Sequence, residues 1–208
     1  MRISVTHLDQ LAYFHASDGE PWEMSLDELV RRLLNQEPPS PAMAAGTAFH
    51  SILENAKAGD ELREVERDGF KFRFEVEGEF PLPQIRELKG TKDFVVDGET
   101  VTLSGQVDAF TGWRVDDHKL TERLDAEKYA DSWQWRAYLS LYGCDEFRYN
   151  IFECYLRERE NVRIVHSYHP LTFYRYPDME SDLQRAVEQF THFVRTYAPQ
   201  YVALRSAA

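Results

Sequence analysis

Two cysteines, Cys144 and Cys154, are all that the 208 residues contain. They stand outside any CxxC spacing, so neither a zinc site nor a disulfide framework is indicated. An iron–sulfur cluster takes about four cysteine ligands, more than this chain holds. Both thiols lie among apolar and aromatic neighbours, where ordinary buried cysteines are expected. No apolar run approaches the roughly 18 to 20 residues of a membrane span. Met1 to His7 also lacks the long apolar stretch and small-residue cleavage site of a secretory signal, so a cytoplasmic protein with no membrane partner is expected. A GxxxxGK[ST] phosphate loop is missing, as are internal repeats and low-complexity tracts. Basic residues are scarce: 24 Lys and Arg face 36 Asp and Glu, a net charge of -12. The deficit is uneven, because residues 119–208 carry 12 basic and 13 acidic side chains. A surface that grips phosphates should therefore draw on the last third, and tight non-specific nucleic-acid binding by a lone copy is disfavoured.

What is present is a foldable chain, 43% hydrophobic and 13% aromatic, of a length that fits one domain. A single domain over 1–208 is expected, with 1–41 as a helical N-terminal extension. Thr6 reads as the cap of a helix to His15, ended by a turn at Asp18-Gly19. Ser25 and Glu28 read as a capping box opening a helix to about Asn35. Pro38 to Pro41 break the chain before a third helix, 42–58, stopped at Gly59. Phe70, Phe72, Phe74 and Val76 then alternate with polar residues, the pattern of a half-buried strand. Asp97-Gly98 marks a hairpin, and Thr111-Gly112 a second turn between a strand ending at Phe110 and one running from Trp113 to Lys119. A helix after Ala130 is expected to end at Gly143. Two strands follow, 147–157 and 163–175, joined at 158–161, and a last helix runs from Asp178 to Tyr197 with Leu183, Val187, Phe190 and Val194 inward. This order gives an α+β (α/β sandwich) fold, a central mixed sheet flanked by helices.

The stretch that carries chemistry is Gly105-Gln106-Val107-Asp108, a turn, and Asp116-Asp117-His118-Lys119. The turn makes the two strands antiparallel neighbours, so Asp108 and Asp117 can sit side by side. Asp117 and Lys119, two apart, leave one face of their strand. Two carboxylates beside a lysine suit magnesium, which prefers oxygen ligands and keeps waters for a substrate phosphate. On these charges alone a solvated acidic hairpin is as good a reading. Two helices add to the picture. Gly46, His50 and Glu54, spaced by four, share a face of the third helix. A glycine there costs roughly 1 kcal/mol against alanine, which points to a close backbone approach at Gly46. Gln134 and Tyr138, also four apart, can hydrogen-bond to a phosphate or to a metal-site residue.

In this order, Gly46…His50, Gly105…Asp108, Asp117-His118-Lys119 and Gln134…Tyr138 resemble the GxxxH, GxxD, DxK and QxxxY motifs of the RecB-type branch of the PD-(D/E)XK nucleases. The resemblance covers about residues 40–160. It implies a restriction-endonuclease-like core that hydrolyses DNA phosphodiesters with Mg2+, for which Mn2+ can substitute, and without the iron–sulfur cluster some relatives carry. It implies His50, Asp108, Asp117 and the His118 carbonyl as metal ligands and Lys119 as the catalytic lysine. Gln134 and Tyr138 would line the substrate side, and Glu54 would serve a second metal or a water. Stand-alone members are similar to phage recombination exonucleases, so the resemblance also implies action on DNA ends in recombination or repair. A ring-shaped homo-oligomer, a strand-annealing recombinase partner and a phage- or prophage-encoded setting come with it. A ring would gather Arg136, Arg157, Arg159, Arg163 and Arg175 towards DNA. A structure-specific endonuclease and a catalytically inactive DNA-binding module are the alternatives.

Overall fold

The structure, a computed structural model, describes residues 1–16, 24–57, 62–76 and 85–206. The expected turn at Asp18-Gly19 and the stop at Gly59 lie outside these residues. Among the described residues, eight strands form one mixed sheet: β1 (Arg2–Ser4), β2 (Glu64–Arg67), β3 (Phe70–Phe74), β4 (Ile85–Val96), β5 (Glu99–Phe110), β6 (Arg114–Thr121), β7 (Glu146–Arg157) and β8 (Val162–Tyr174). Their order is β1-β5-β6-β7-β8-β3-β2, with β4 also paired to β5. The helices are α1 (Val5–Ala16), α2 (Leu26–Leu33), α3 (Pro41–Asn55), α4 (Ala126–Asp131), α5 (Trp133–Tyr142), α6 (Met179–Tyr197) and α7 (Pro199–Ser206). None of them is long and apolar enough to cross a membrane.

Local chemistry sets most of these boundaries. Ser25 and Ser40 accept the Glu28 and Met43 amides and so start α2 and α3, with Pro41 in the first turn of the latter. Proline suits that position because the amide it lacks would have no partner inside the helix. Asp97 and Gly98, at φ 53° and 79°, close the β4–β5 hairpin. Gly143, at φ 66°, ends α5 in the left-handed conformation. Four elements went unexpected: β1, β2, the short α4 capped by Asp125, and α7. Residues 1–41, expected as a helical extension, thus also contribute a strand, which lies parallel against β5 from Arg2–Thr102 to Ser4–Ser104.

β5 organises the sheet. β4 pairs with it from end to end, so β1 and β6 share its other edge, β1 at residues 102–104 and β6 at 109–110. Two apolar cores lie on opposite faces. Phe147, Tyr149 and Ile151 of β7 enter the larger one beneath α1, α2, α5, α6 and α7, whereas Phe152 and Cys154 enter a smaller one beneath α3. Neighbouring residues of one strand point opposite ways, which makes a three-layer arrangement. Both cysteines are free and buried, as expected. The four inward residues anticipated for α6 are fully buried.

The larger core includes a histidine. His7 stacks on Phe190, meets Tyr201 edge-on, and its Nδ1 lies 2.8 Å from the Tyr201 hydroxyl. Burial, helped by the nearby Arg205 charge, lowers its pKa to about 4 from 6.5. The folded value is the lower one, so protons bind the unfolded chain first: this contribution is intact above pH 6.5 and is lost as pH falls towards 4. Urea unfolding at pH 7 and pH 4.5 should show wild type losing about 2–3 kcal/mol more stability than His7→Gln. Equal losses in the two proteins would remove His7 from the acid sensitivity.

Candidate active site

The ladder between β5 and β6 is short, pairing only Ala109 with Asp116 and Phe110 with Val115. Beyond it Asp108 takes the place of a backbone partner: its Oδ2 accepts the His118 N–H at 2.7 Å. The same oxygen lies 3.2 Å from Nδ1 of His50, which α3 carries in from the other layer. Across the seam, Asp117 points towards α5. Its Oδ1 accepts the side-chain amide of Gln134 at 2.9 Å, and its Oδ2 lies 2.6 Å from the Lys119 ammonium. That ammonium also sits 5.7 Å above the Tyr149 ring. The adjacent residue behaves differently. Asp116, fully buried, is held by Arg114 at 2.8 Å, by Arg148 and by the Asn150 amide. One aspartate of the Asp116-Asp117 pair is thus committed to the fold, and the other to the site.

The two site carboxylates differ electrically. Burial works to raise the pKa of Asp108, but the hydrogen bond and charge of His50, then Lys119 and His118, hold it at about 2. Burial pushes Asp117 up to about 6 against the pull of Lys119, with the Asp108 charge adding to the push. Burial alone would lower His50 and Lys119; the neighbouring carboxylates raise both instead. His118 is buried against Phe152, and burial lowers it to about 4.

A divalent cation fits this donor set. The Asp117 Oδ2 atom is buried with no partner among the described residues beyond the Lys119 ammonium, and the carboxylate carries charge near neutral pH at a cost that a cation would offset. Among the described residues no group of three His, Cys, Asp or Glu side chains is placed to hold a metal ion by itself. Zinc-type coordination is therefore a poor match, whereas magnesium is commonly held by one or two carboxylates, with waters and a phosphate completing the shell.

The remaining expected residues are placed unevenly. Tyr138 is buried and donates its hydroxyl to the Gln106 carbonyl at 2.8 Å, so it braces β5. Glu54 is exposed on the last turn of α3. Arg136 stacks on Trp135 and donates to the Asp131 and Ser132 carbonyls. Arg175 is bound by Glu180, Asp145 and the Leu139 carbonyl. Arg157, Arg159 and Arg163 cluster at the β7–β8 hairpin, where Leu156 faces Arg163. Arg157 is six residues along β7 from Ile151, the neighbour of Lys119, a span of about 20 Å at roughly 3.3 Å per residue. Pairing with Glu160 and Glu75 occupies Arg157, and Arg163 stacks on Phe70. Residues the motifs did not reveal are Asp9, Ser132 and Tyr149, which meet Gln134 from behind. Only the doubled aspartate at 116–117 carried a hint of Asp116.

The two motif glycines have different reasons. A Cβ at Gly105 would stand 2.5 Å from Tyr138 Cε1 and 3.0 Å from Val5 Cγ2, so the GxxD strand and the QxxxY helix interlock there. Gly46 corrects an expectation: among the described residues nothing lies within 4 Å of where its Cβ would be. Among the described residues no close approach requires that glycine.

No family model matches this sequence, and no curated protein matches it. Among solved structures, the chain is similar to SSO0001, with a TM-score of 0.53 at 13% identity over 92% of this chain and 76% of that one. A likeness at this identity is one of fold: a mixed central sheet flanked by helices. LHK-Exo in complex with dAMP aligns over 99% of this chain and 92% of its own, at 12% identity and a TM-score of 0.44, too distant for a comparison of sites.

Thermal unfolding should separate the two glycines. Gly105→Ala should cost about 1–3 kcal/mol, because the Tyr138 ring is packed and cannot give way. Gly46→Ala should raise stability by roughly 1 kcal/mol, as expected for a helical position with open space at its Cβ. A destabilised Gly46→Ala would mean an internal constraint on α3.

Proposed function

We propose that this chain is a magnesium-dependent deoxyribonuclease of the PD-(D/E)XK superfamily, RecB-type branch, that hydrolyses phosphodiester bonds from DNA ends. The observation that carries this reading is the convergence of four separate motifs: His50 and His118 on Asp108, and Lys119 and Gln134 on Asp117. A solvated hairpin would leave these carboxylates exposed, and Asp117 is instead 3% exposed.

In this proposal His50, Asp108, Asp117 and the His118 carbonyl hold Mg2+ or Mn2+. When bound, the cation supplies charge at the scissile phosphate and a water of lowered pKa. The rest is done by the chain. Lys119, kept charged by Asp117 and steadied over Tyr149, offers its ammonium to the negative charge that builds on the phosphate. Gln134 keeps Asp117 facing the site. Tyr138 supports β5 through Gln106 and is not in this scheme a substrate contact. The hairpin arginines lie far enough along β7 to follow the duplex rather than the scissile bond. Assembly into a ring and a recombinase partner extend the proposal, and a ring would spread the net negative charge away from a shared channel.

The test is digestion of end-labelled linear duplex beside a covalently closed circle, with Mg2+, Mn2+ or EDTA. Metal-dependent loss of the linear DNA with the circle spared is expected, and Asp117→Ala or Lys119→Ala should lower kcat roughly 10²–10³-fold. Cutting of the circle would make the protein an endonuclease. Absence of cleavage with either metal would leave a DNA-binding module.

A further inference from the structure

Asp9 belongs to none of the four motifs, yet hydrogen bonds link it to the site without a break. From α1 its Oδ1 accepts the Trp133 N–H at 2.5 Å and its Oδ2 the Ser132 hydroxyl at 2.8 Å. Ser132 is the N-cap of α5 and its Oγ accepts the Gln134 N–H at 3.0 Å. The Tyr149 hydroxyl lies 3.1 Å from Ser132 Oγ and 3.3 Å from Gln134 Oε1. Gln134 then presents its amide nitrogen to Asp117 at 2.9 Å. Asp9, Ser132, Gln134, Tyr149 and Lys119 all line one cavity of about 620 Å³.

The arrangement exceeds what a helix start needs. Ser132 caps the Gln134 N–H and Asp9 Oδ1 takes the Trp133 N–H, two of the four amides that a helix start leaves without a partner. Asp9 Oδ2 goes beyond that and sets where the Ser132 proton goes. With that proton directed to Asp9, the serine oxygen accepts the Gln134 N–H and does not donate to Tyr149, whose single hydroxyl proton is shared between Ser132 Oγ and Gln134 Oε1. That donor at Gln134 Oε1 in turn fixes which end of the amide faces Asp117. Were the amide reversed, two oxygens would oppose each other and Asp117 would lose its only hydrogen-bond donor among the described residues apart from the Lys119 ion pair.

We propose that Asp9 is a positioning residue of the active site, acting through Ser132 and Gln134 to hold Asp117 in place. This rests on the nuclease reading given above. Outer partners of a metal-ligating carboxylate typically matter 10–100-fold in affinity or activity.

Steady-state cleavage of linear duplex by wild type, Asp9→Ala, Asp9→Asn, Gln134→Ala and Asp9→Ala/Gln134→Ala tests it, with a thermal melt for each protein. Asp9→Ala should lower kcat 10–100-fold with KM within about twofold. Asp9→Asn, which keeps one acceptor oxygen, should recover most of the loss. The double variant should cleave no more slowly than Gln134→Ala alone, since both act on one path. Wild-type activity in Asp9→Ala, or losses that multiply in the double variant, would overturn the proposal. If Asp9→Ala does not fold, the same cycle is run with the near-isosteric Asp9→Leu, which keeps no acceptor oxygen, and the same two outcomes decide. If wild type cleaves no DNA, the nuclease reading fails, and Asp9 is judged by Mn2+ titration calorimetry instead. Binding at least tenfold weaker in Asp9→Ala than in wild type supports the positioning role; equal binding in the two, or none by wild type, overturns it.

Discussion

The contact on which the rest depends is the hydrogen bond from the His118 amide to the Asp108 carboxylate. Regular sheet pairing would have given that amide a backbone carbonyl and left Asp108 to solvent. Because the β5–β6 ladder stops after two residue pairs, a side chain takes over the seam. The cost of an unpaired backbone donor then works in favour of the site: moving Asp108 away would orphan a buried amide. Its carboxylate is held in place by the sheet that it interrupts, and His50 is held in turn by the carboxylate.

Topology supplies the other half. β6 and β7 are parallel, so the chain must cross over the sheet between them, and a crossover needs a dozen or more residues. α4 and α5 are that crossover. A helix in this position lies over the two strands it connects, and Gln134 in its first turn therefore comes down on Asp117. Gly105 lets the same helix sit close, with the Tyr138 ring against the β5 backbone. The motif residues on α5 thus serve two ends: Gln134 meets the carboxylate, and Tyr138 fixes the distance between helix and sheet.

Much of this was legible in the sequence because it is local. The alternation at Phe70 to Phe74, the Asp97-Gly98 turn, the serine caps and the inward face of α6 are each written within a few residues. The trio of Asp108, Asp117 and Lys119 was legible for the same reason, a tight turn and a period of two. What stayed hidden depends on partners far away along the chain. Arg2 to Ser4 is too short to show a pattern and becomes a strand only because β5 offers an edge. Asp116 looks like its neighbour until Arg148 and Asn150, some thirty residues on, claim it. Asp9 is one polar residue of an amphipathic helix, and its role exists only when α5 starts beside it. Gly46 misled because a helical glycine suggests a close neighbour, and none is found among the described residues.

The long-range pairings bear on the order of assembly. β4 to β8 follow one another and can pair through hairpins and a single crossover, all within residues 85–174. β1 joins β5 across about 100 residues, and β3 joins β8 across about 90. Non-local pairings of this kind must meet the entropy of closing a long loop before they return any contact, which slows folding. The two aspartates and the lysine therefore belong to the segment that can fold early, whereas His50 and Asp9 arrive with the outer elements. A partly folded chain would hold both carboxylates with Lys119 beside Asp117, while Asp108 waits for α3 to bring His50.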